Sequence, residues 1–186
     1  DALTAALIRG AFEYQGQKCS AASRAYIPAS IWPDLREKLQ AEISTIKVGD
    51  VEDFTNFMGA VIDKKAFDNI KSYLEYVKQS PDAEIILGGG CDDARGYFVE
   101  PTLIVTDNPK FRTMEEEIFG PVLTLYIYQD QKFSETLILC NETSPYGLTG
   151  AVFARDRKAI VEMEKALSHA VGNLYINDKP TGAVVG

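Results

Sequence analysis

A chain of 186 residues with 46% apolar side chains has the size of one domain and enough apolar surface for a substantial core. Its formal net charge of −8, with no clustered Lys/Arg stripe, argues against a phosphate-binding surface and so against nucleic acid as a partner. The longest apolar runs, such as Val122 to Tyr128, are far too short to cross a bilayer and read as buried strands, so no membrane partner is expected.

The residues from Asp1 to Arg9 carry neither a basic leader nor a small-residue cleavage site, and they read as the interior of an amphipathic helix. Ser30 is a candidate N-cap for a helix whose apolar positions Leu35, Leu39, Ile43 and Ile46 fall three or four apart, with Gly49 just past its end. A second helix is expected from Asp63, with Phe67, Ile70, Leu74 and Val77 on one face and Pro81 preventing continuation. The run Gly88-Gly89-Gly90 lacks the spacing of a phosphate-cradling loop and predicts a turn between strands. A shorter helix is expected near Ser134. A third strong one contains Ile160, Met163, Leu167 and Ala170, with Gly172 placed for a left-handed cap.

Between the helices lie β-branched and aromatic runs at Ile85 to Leu87, Leu103 to Val105, Val122 to Tyr128, Ala151 to Phe153 and Leu174 to Ile176. Helices alternating with strands that are apolar on both faces predict an α/β layered domain around a mainly parallel sheet. No internal repeat or linker divides residues 1–186.

Three cysteines, Cys19, Cys91 and Cys140, lack paired spacing, so neither a disulfide framework nor a metal site is indicated. Cys19 differs from the other two in context. It lies in Gln15-Gly16-Gln17-Lys18-Cys19-Ser20, after a helix end, in polar surroundings and beside a cation that would favour the thiolate. Local context alone allows a covalent nucleophile or a partly buried bystander. His169, near a helix end with no ligand-spaced companion, reads as structural, although a Cys19–His169 hydrolase is a distinct alternative. A non-catalytic interaction module that keeps the fold is another.

Gly16-Gln17-Lys18-Cys19-Ser20 resembles the nucleophile segment of the aldehyde dehydrogenase superfamily, and further family segments follow in order. These are Gly96-Tyr97-Phe98-Val99-Glu100-Pro101-Thr102, Glu116-Glu117-Ile118-Phe119-Gly120-Pro121-Val122, Tyr146-Gly147-Leu148-Thr149-Gly150 and Gly172-Asn173-Leu174-Tyr175-Ile176-Asn177. The resemblance implies a three-layer, thiol-bearing catalytic domain. It also implies that Cys19 attacks an aldehyde carbon, that the oxyanion is held by donors including the Cys19 backbone N–H, and that a thioester is then hydrolysed.

By the same resemblance, Glu117 would accept hydrogen bonds from the ribose beside a nicotinamide, and Phe119 would lie near that ring; NAD is the expected cofactor, with NADP left open. Taken alone, Glu115, Glu116 and Glu117 would be a solvated acidic run. The segment from Asn177 to Gly186, together with Lys18-Cys19-Ser20, is similar to the branch that oxidises L-glutamate γ-semialdehyde to L-glutamate. That likeness implies that Gly182 and Ala183 offer backbone amides to the substrate α-carboxylate, that Ser20 adds a hydroxyl, and that Lys18 favours an anionic substrate. It further implies an upstream cofactor-binding domain holding the general base, a downstream tail, a homo-oligomer and a mitochondrial matrix location, with a bacterial cytoplasm as the alternative.

Overall fold

The structure is a computed structural model, and it describes residues 1–181. Apolar spacing at the start of the chain produces α1 (Ala2–Phe12), which buries Leu7, Ile8, Ala11 and Phe12. A short turn, Glu13–Gly16, leads through the cysteine segment into strand β1 (Arg24–Pro28). Helix α2 (Trp32–Ile43) buries the expected Leu35, Leu39 and Ile43.

Two expectations about α2 are corrected. Ser30 does not cap it: Ile31 holds that position, while the Ser30 backbone N–H and hydroxyl both donate to the Asp130 carboxylate. The helix also stops before Ile46, because the Ser44 and Thr45 hydroxyls donate to the carbonyls of Ala41 and Glu42 and compete with helical propagation. Ile46 nevertheless packs against the same core.

Helix α3 (Lys64–Gln79) starts where Asp63 predicts, its carboxylate accepting from the Ala66 N–H at 2.8 Å. Strands β2 (Ala83–Leu87), β3 (Cys91–Asp92), β4 (Phe98–Val99) and β5 (Thr102–Thr106) follow. The glycine run forms the expected turn, with Gly88 and Gly89 at φ +76° and +85°. The short helix α4 (Arg112–Glu115), strand β6 (Val122–Tyr128), helix α5 (Phe133–Glu142), strand β7 (Thr149–Val152), helix α6 (Arg157–Leu167) and strand β8 (Asn173–Ile176) complete the described chain. Gly172 is not a left-handed cap. Helix α6 ends at Leu167 through Ser168, and the Gly172 N–H instead donates to the carbonyl of Gly147 beside β7.

The main sheet has the order β1-β6-β5-β2; β6 runs parallel to β1 and β5, and β2 is antiparallel to β5. Register decides the layers. Leu103 pairs with Leu123 and Ala25 with Leu125, so Leu103, Leu123, Leu125 and Ile27 share one face and pack against α1 and α2. Ile104 and Val122 point the other way, against Phe67, Ile70, Leu74 and Val77 of α3 and Phe111 and Met114 by α4. Helices therefore cover both faces, giving the three layers and the mainly parallel sheet that the sequence predicts. A smaller unit pairs β7 with β8 in parallel and packs them with α5 and α6 around Leu137, Val152, Met163 and Leu167. The Tyr26 hydroxyl of β1 donates to Thr143 Oγ1 at 2.7 Å, bringing the end of α5 to the main sheet.

Candidate active site

Cys19 is presented by a turn that the preceding residues force out of line with α1. Tyr14, Gln15 and Gly16 all have left-handed backbones, at φ 56°, 58° and 65°. For the two non-glycine residues this conformation is unfavourable by about 1–2 kcal/mol each, so surrounding contacts must hold it. They do so from several elements. A Cβ on Gly16 would lie 2.2 Å from the Gly120 carbonyl oxygen, so the two backbones meet with no room for a side chain. Gln17 Oε1 accepts from the Ile62 N–H at 2.9 Å, and the Ala22 N–H donates to the Gly10 carbonyl at 2.9 Å. Cys19 itself is exposed in the turn closed by the Ala21 N–H on the Lys18 carbonyl. Among the described residues, no backbone partner takes up the Cys19 N–H, which leaves it able to donate to an oxyanion formed at the sulfur's substrate.

The other two thiols are half-buried, and burial pushes both up from the ordinary cysteine range, which disfavours the thiolate. His169 lies exposed in the turn after α6.

The Gly16 contact ties the chain three residues before Cys19 to the loop that carries Glu117 and Phe119. Gly120 in that loop is itself confined, since a Cβ there would meet Ile70 of α3 at 2.5 Å. Phe119 is held at φ 59° and is 44% exposed, an unfavourable backbone for an aromatic residue and a large apolar residue left to solvent. The acidic run separates into distinct fates. Glu116 accepts from the Tyr73 hydroxyl at 2.5 Å and from Arg112 Nε at 3.0 Å, and these partners hold its carboxyl below the ordinary range. The Glu115 carbonyl accepts from the Ser144 hydroxyl, while the Glu117 carboxylate is exposed with no ion pair among the described residues. An open hollow of about 580 Å³ is lined by the three glutamates with Tyr73, Thr143, Pro145 and Tyr146.

The cysteine turn also meets the end of the described chain. Glu13 Oε2 accepts from Lys18 Nζ at 3.1 Å and from Lys179 Nζ at 2.8 Å, while Oε1 accepts from Arg9 Nε at 2.5 Å. Burial alone would raise the Glu13 carboxyl, but the hydrogen bonds from Lys179, Arg9 and Lys18 outweigh it and hold it at about 2. A Cβ on Gly10 would lie 3.3 Å from Pro180 Cδ, so residues 179–180 lie along α1. The Ser20 carbonyl accepts from Thr149 Oγ1 at 3.4 Å. Thr181 is 2% exposed, and its hydroxyl has no partner among the described residues. Gly182 and Ala183 lie outside the described residues.

The structure thus joins the segment that carries Lys18, Cys19 and Ser20 to Gly120, directly after Phe119, through Gly16, and to Lys179 through Glu13. Glu13 and Lys179 escaped notice as site residues in the sequence. Arg9 and Glu13 stand four apart, an ordinary helical ion-pair spacing, but nothing in the sequence reveals a contact across 166 positions.

The aldehyde dehydrogenase family model matches residues 1–186, and the chain belongs to that family. It is 60% identical over 179 residues to the mitochondrial delta-1-pyrroline-5-carboxylate dehydrogenase of Dictyostelium discoideum, an alignment covering 96% of this chain and 32% of that one. It is 52% identical over 187 residues to the human mitochondrial enzyme of the same name, covering 100% of this chain and 33% of that one. Among solved structures, the delta-pyrroline-5-carboxylate dehydrogenase of Mycobacterium tuberculosis bound with NAD superposes with a TM-score of 0.93 at 45% identity, over 100% of this chain and 34% of that one. The chain spans about a third of the length of the curated relatives it matches.

Proposed function

We propose that this chain is the thiol-bearing catalytic part of an NAD-dependent dehydrogenase that oxidises L-glutamate γ-semialdehyde to L-glutamate. The observation that carries the reading is the exposure of Cys19 in a turn tied through Gly16 to Gly120 and through Lys18 and Glu13 to Lys179. Identity of 52–60% to relatives named for this reaction supports the substrate, and the NAD-bound relative supports the cofactor.

In this mechanism Cys19, as thiolate, adds to the aldehyde carbon and forms a hemithioacetal, and the Cys19 N–H donates to the new oxyanion. When bound, NAD supplies the acceptor for the hydride that leaves this carbon. Glu117 and Phe119 suit its nicotinamide end: an exposed carboxylate with no ion pair among the described residues can accept from two vicinal hydroxyls, and the exposed Phe119 offers an apolar face. The thioester that remains on Cys19 is opened by water, which releases the carboxylic acid and restores the thiol. Lys18 and Ser20 beside the sulfur, with Gly182 and Ala183 beyond Thr181, receive the α-carboxylate. The whole protein works as a homo-oligomer in the mitochondrial matrix.

The test uses the full-length protein, following NADH formation with glutamate semialdehyde and with an aldehyde that lacks the α-carboxylate. A strong preference for the charged substrate, with an acyl adduct mapped to Cys19, is the expected result. An adduct on another side chain refutes the mechanism, and indifference to the carboxylate refutes the substrate. A Cys19–His169 hydrolase would instead act without NAD and lose activity in His169→Ala.

A further inference from the structure

We infer that Glu13 is a positioning residue that clamps the Asp178–Thr181 segment onto the nucleophile turn and thereby sets the preference for an aldehyde carrying a carboxylate. This rests on the substrate reading proposed above. The carboxylate is 16% exposed and gathers three cationic side chains from two distant parts of the chain. Lys18 and Lys179 share a single oxygen, Oε2, which puts their ammonium nitrogens within about 6 Å of each other, a repulsive arrangement without the intervening carboxylate.

Two consequences follow from this geometry. First, three cations, Arg9, Lys18 and Lys179, against the carboxylates of Glu13 and Asp178 leave positive charge in excess in a cluster that includes Lys18, the residue before Cys19, in a chain whose net charge is −8. Such a local field favours an anionic ligand. Second, Lys179 lies two residues before Thr181, whose buried hydroxyl lacks a partner among the described residues. A buried polar group of this kind calls for a hydrogen-bonding partner, and a substrate carboxylate seated at this segment would supply it. Glu13 touches neither the reacting carbon nor the sulfur in this scheme. Its effect passes through Lys179 and the segment that Lys179 holds.

The experiment compares Glu13→Gln, Glu13→Asp, Lys179→Gln and the Glu13→Gln/Lys179→Gln double variant in the full-length enzyme, with glutamate semialdehyde and with propanal. Glu13→Gln is expected to raise KM for the semialdehyde about tenfold, leave its kcat within about threefold, and change kcat/KM for propanal by less than about threefold. Glu13→Asp restores part of the KM. Lys179→Gln reproduces the increase, and the double variant is no worse than either single within about twofold, because both remove one contact. Equal losses with both aldehydes would reduce Glu13 to a structural residue and overturn the inference, as would single effects that multiply in the double variant. Lys179 is partly exposed, so its variant reports even if Glu13→Gln fails to fold. If the wild type shows no preference for the semialdehyde, the substrate reading fails. The clamp is then judged by thermal midpoints of the same four proteins, where additive shifts would refute it.

Discussion

Substituting Gly16 by alanine tests whether the backbone contact behind Cys19 governs reactivity. At φ +65° an alanine is unfavourable by about 1–2 kcal/mol, and its methyl carbon would sit 2.2 Å from the Gly120 oxygen and 2.8 Å from the Ala11 oxygen. Neither oxygen can yield easily, because Ala11 is 0% exposed within α1 and Gly120 is backed by Ile70. Overpacking of this kind adds about 1–3 kcal/mol, so a destabilisation of about 2–5 kcal/mol is expected. The chain would relieve the clash by moving the cysteine turn away from the Glu117–Phe119 loop. A shift near 1 Å between reacting partners lowers rates about a hundredfold, and kcat/KM of the full-length enzyme should fall by that order. Gly88→Ala is the control: it has φ +76° and an equally close backbone oxygen, Pro101 at 2.2 Å, but follows β2 at the sheet edge opposite β1. It should unfold as readily yet keep kcat/KM within about twofold when assayed well below its midpoint. Wild-type activity in Gly16→Ala, or an equal loss in Gly88→Ala, would refute the argument.

Cys19→Ala should abolish NADH formation while Cys91→Ala and Cys140→Ala retain it, and equal losses at all three would remove the case for Cys19. Glu117→Gln should raise KM for NAD about tenfold through the loss of a charged acceptor, read by initial rates at saturating aldehyde. Asp63→Ala removes the side-chain cap of α3 and should destabilise by about 0.5–2 kcal/mol in urea unfolding. For Glu13, a folded carboxyl at about 2 against an ordinary 4.5 contributes stability that is complete above 4.5 and lost as pH falls towards 2. The difference in thermal midpoint between wild type and Glu13→Gln should therefore shrink across that window, and a difference that stays constant there would exclude the ion cluster as its source.

The parts of the fold that were legible in the sequence are those in which a local signal and burial coincide. Phe67, Ile70, Leu74 and Val77 follow helical spacing after an N-capping Asp63, and all four are core residues of α3. Val122 to Tyr128 reads as a buried strand and lies at the interior of the sheet. Strand β1 escaped notice because Arg24-Ala25-Tyr26-Ile27-Pro28 is short, begins with a charge, and ends in a proline that an edge position tolerates. Ser30 misled because a serine before a helix has other acceptors, and Asp130, a hundred positions away, supplies a charged one. In the site, Cys19 stood out by its polar context and by the segments that follow it. The clamp through Glu13 did not, because a contact between two unremarkable charged residues leaves no mark in either neighbourhood.

A nucleophile must be both reachable and fixed, and in a polypeptide these demands oppose each other, since exposed turns are ordinarily the most mobile parts. This chain reconciles them by tethering residues beside Cys19 instead of Cys19 itself. Gly16 meets Gly120 after α4, Gln17 holds Ile62 before α3, Ser20 receives Thr149 of β7, and Lys18 reaches Lys179 through Glu13. Each tether comes from a different element, so no single rigid-body movement releases the turn, and the unfavourable left-handed run at Tyr14 and Gln15 is sustained by contacts on both sides. Two of those tethers end on or beside segments proposed to bind ligands, Gly120 directly after the Glu117–Phe119 loop and Lys179 in the Lys179–Thr181 stretch. Occupation of either segment would therefore tighten the turn that carries the sulfur, so binding and nucleophile placement are mechanically one arrangement.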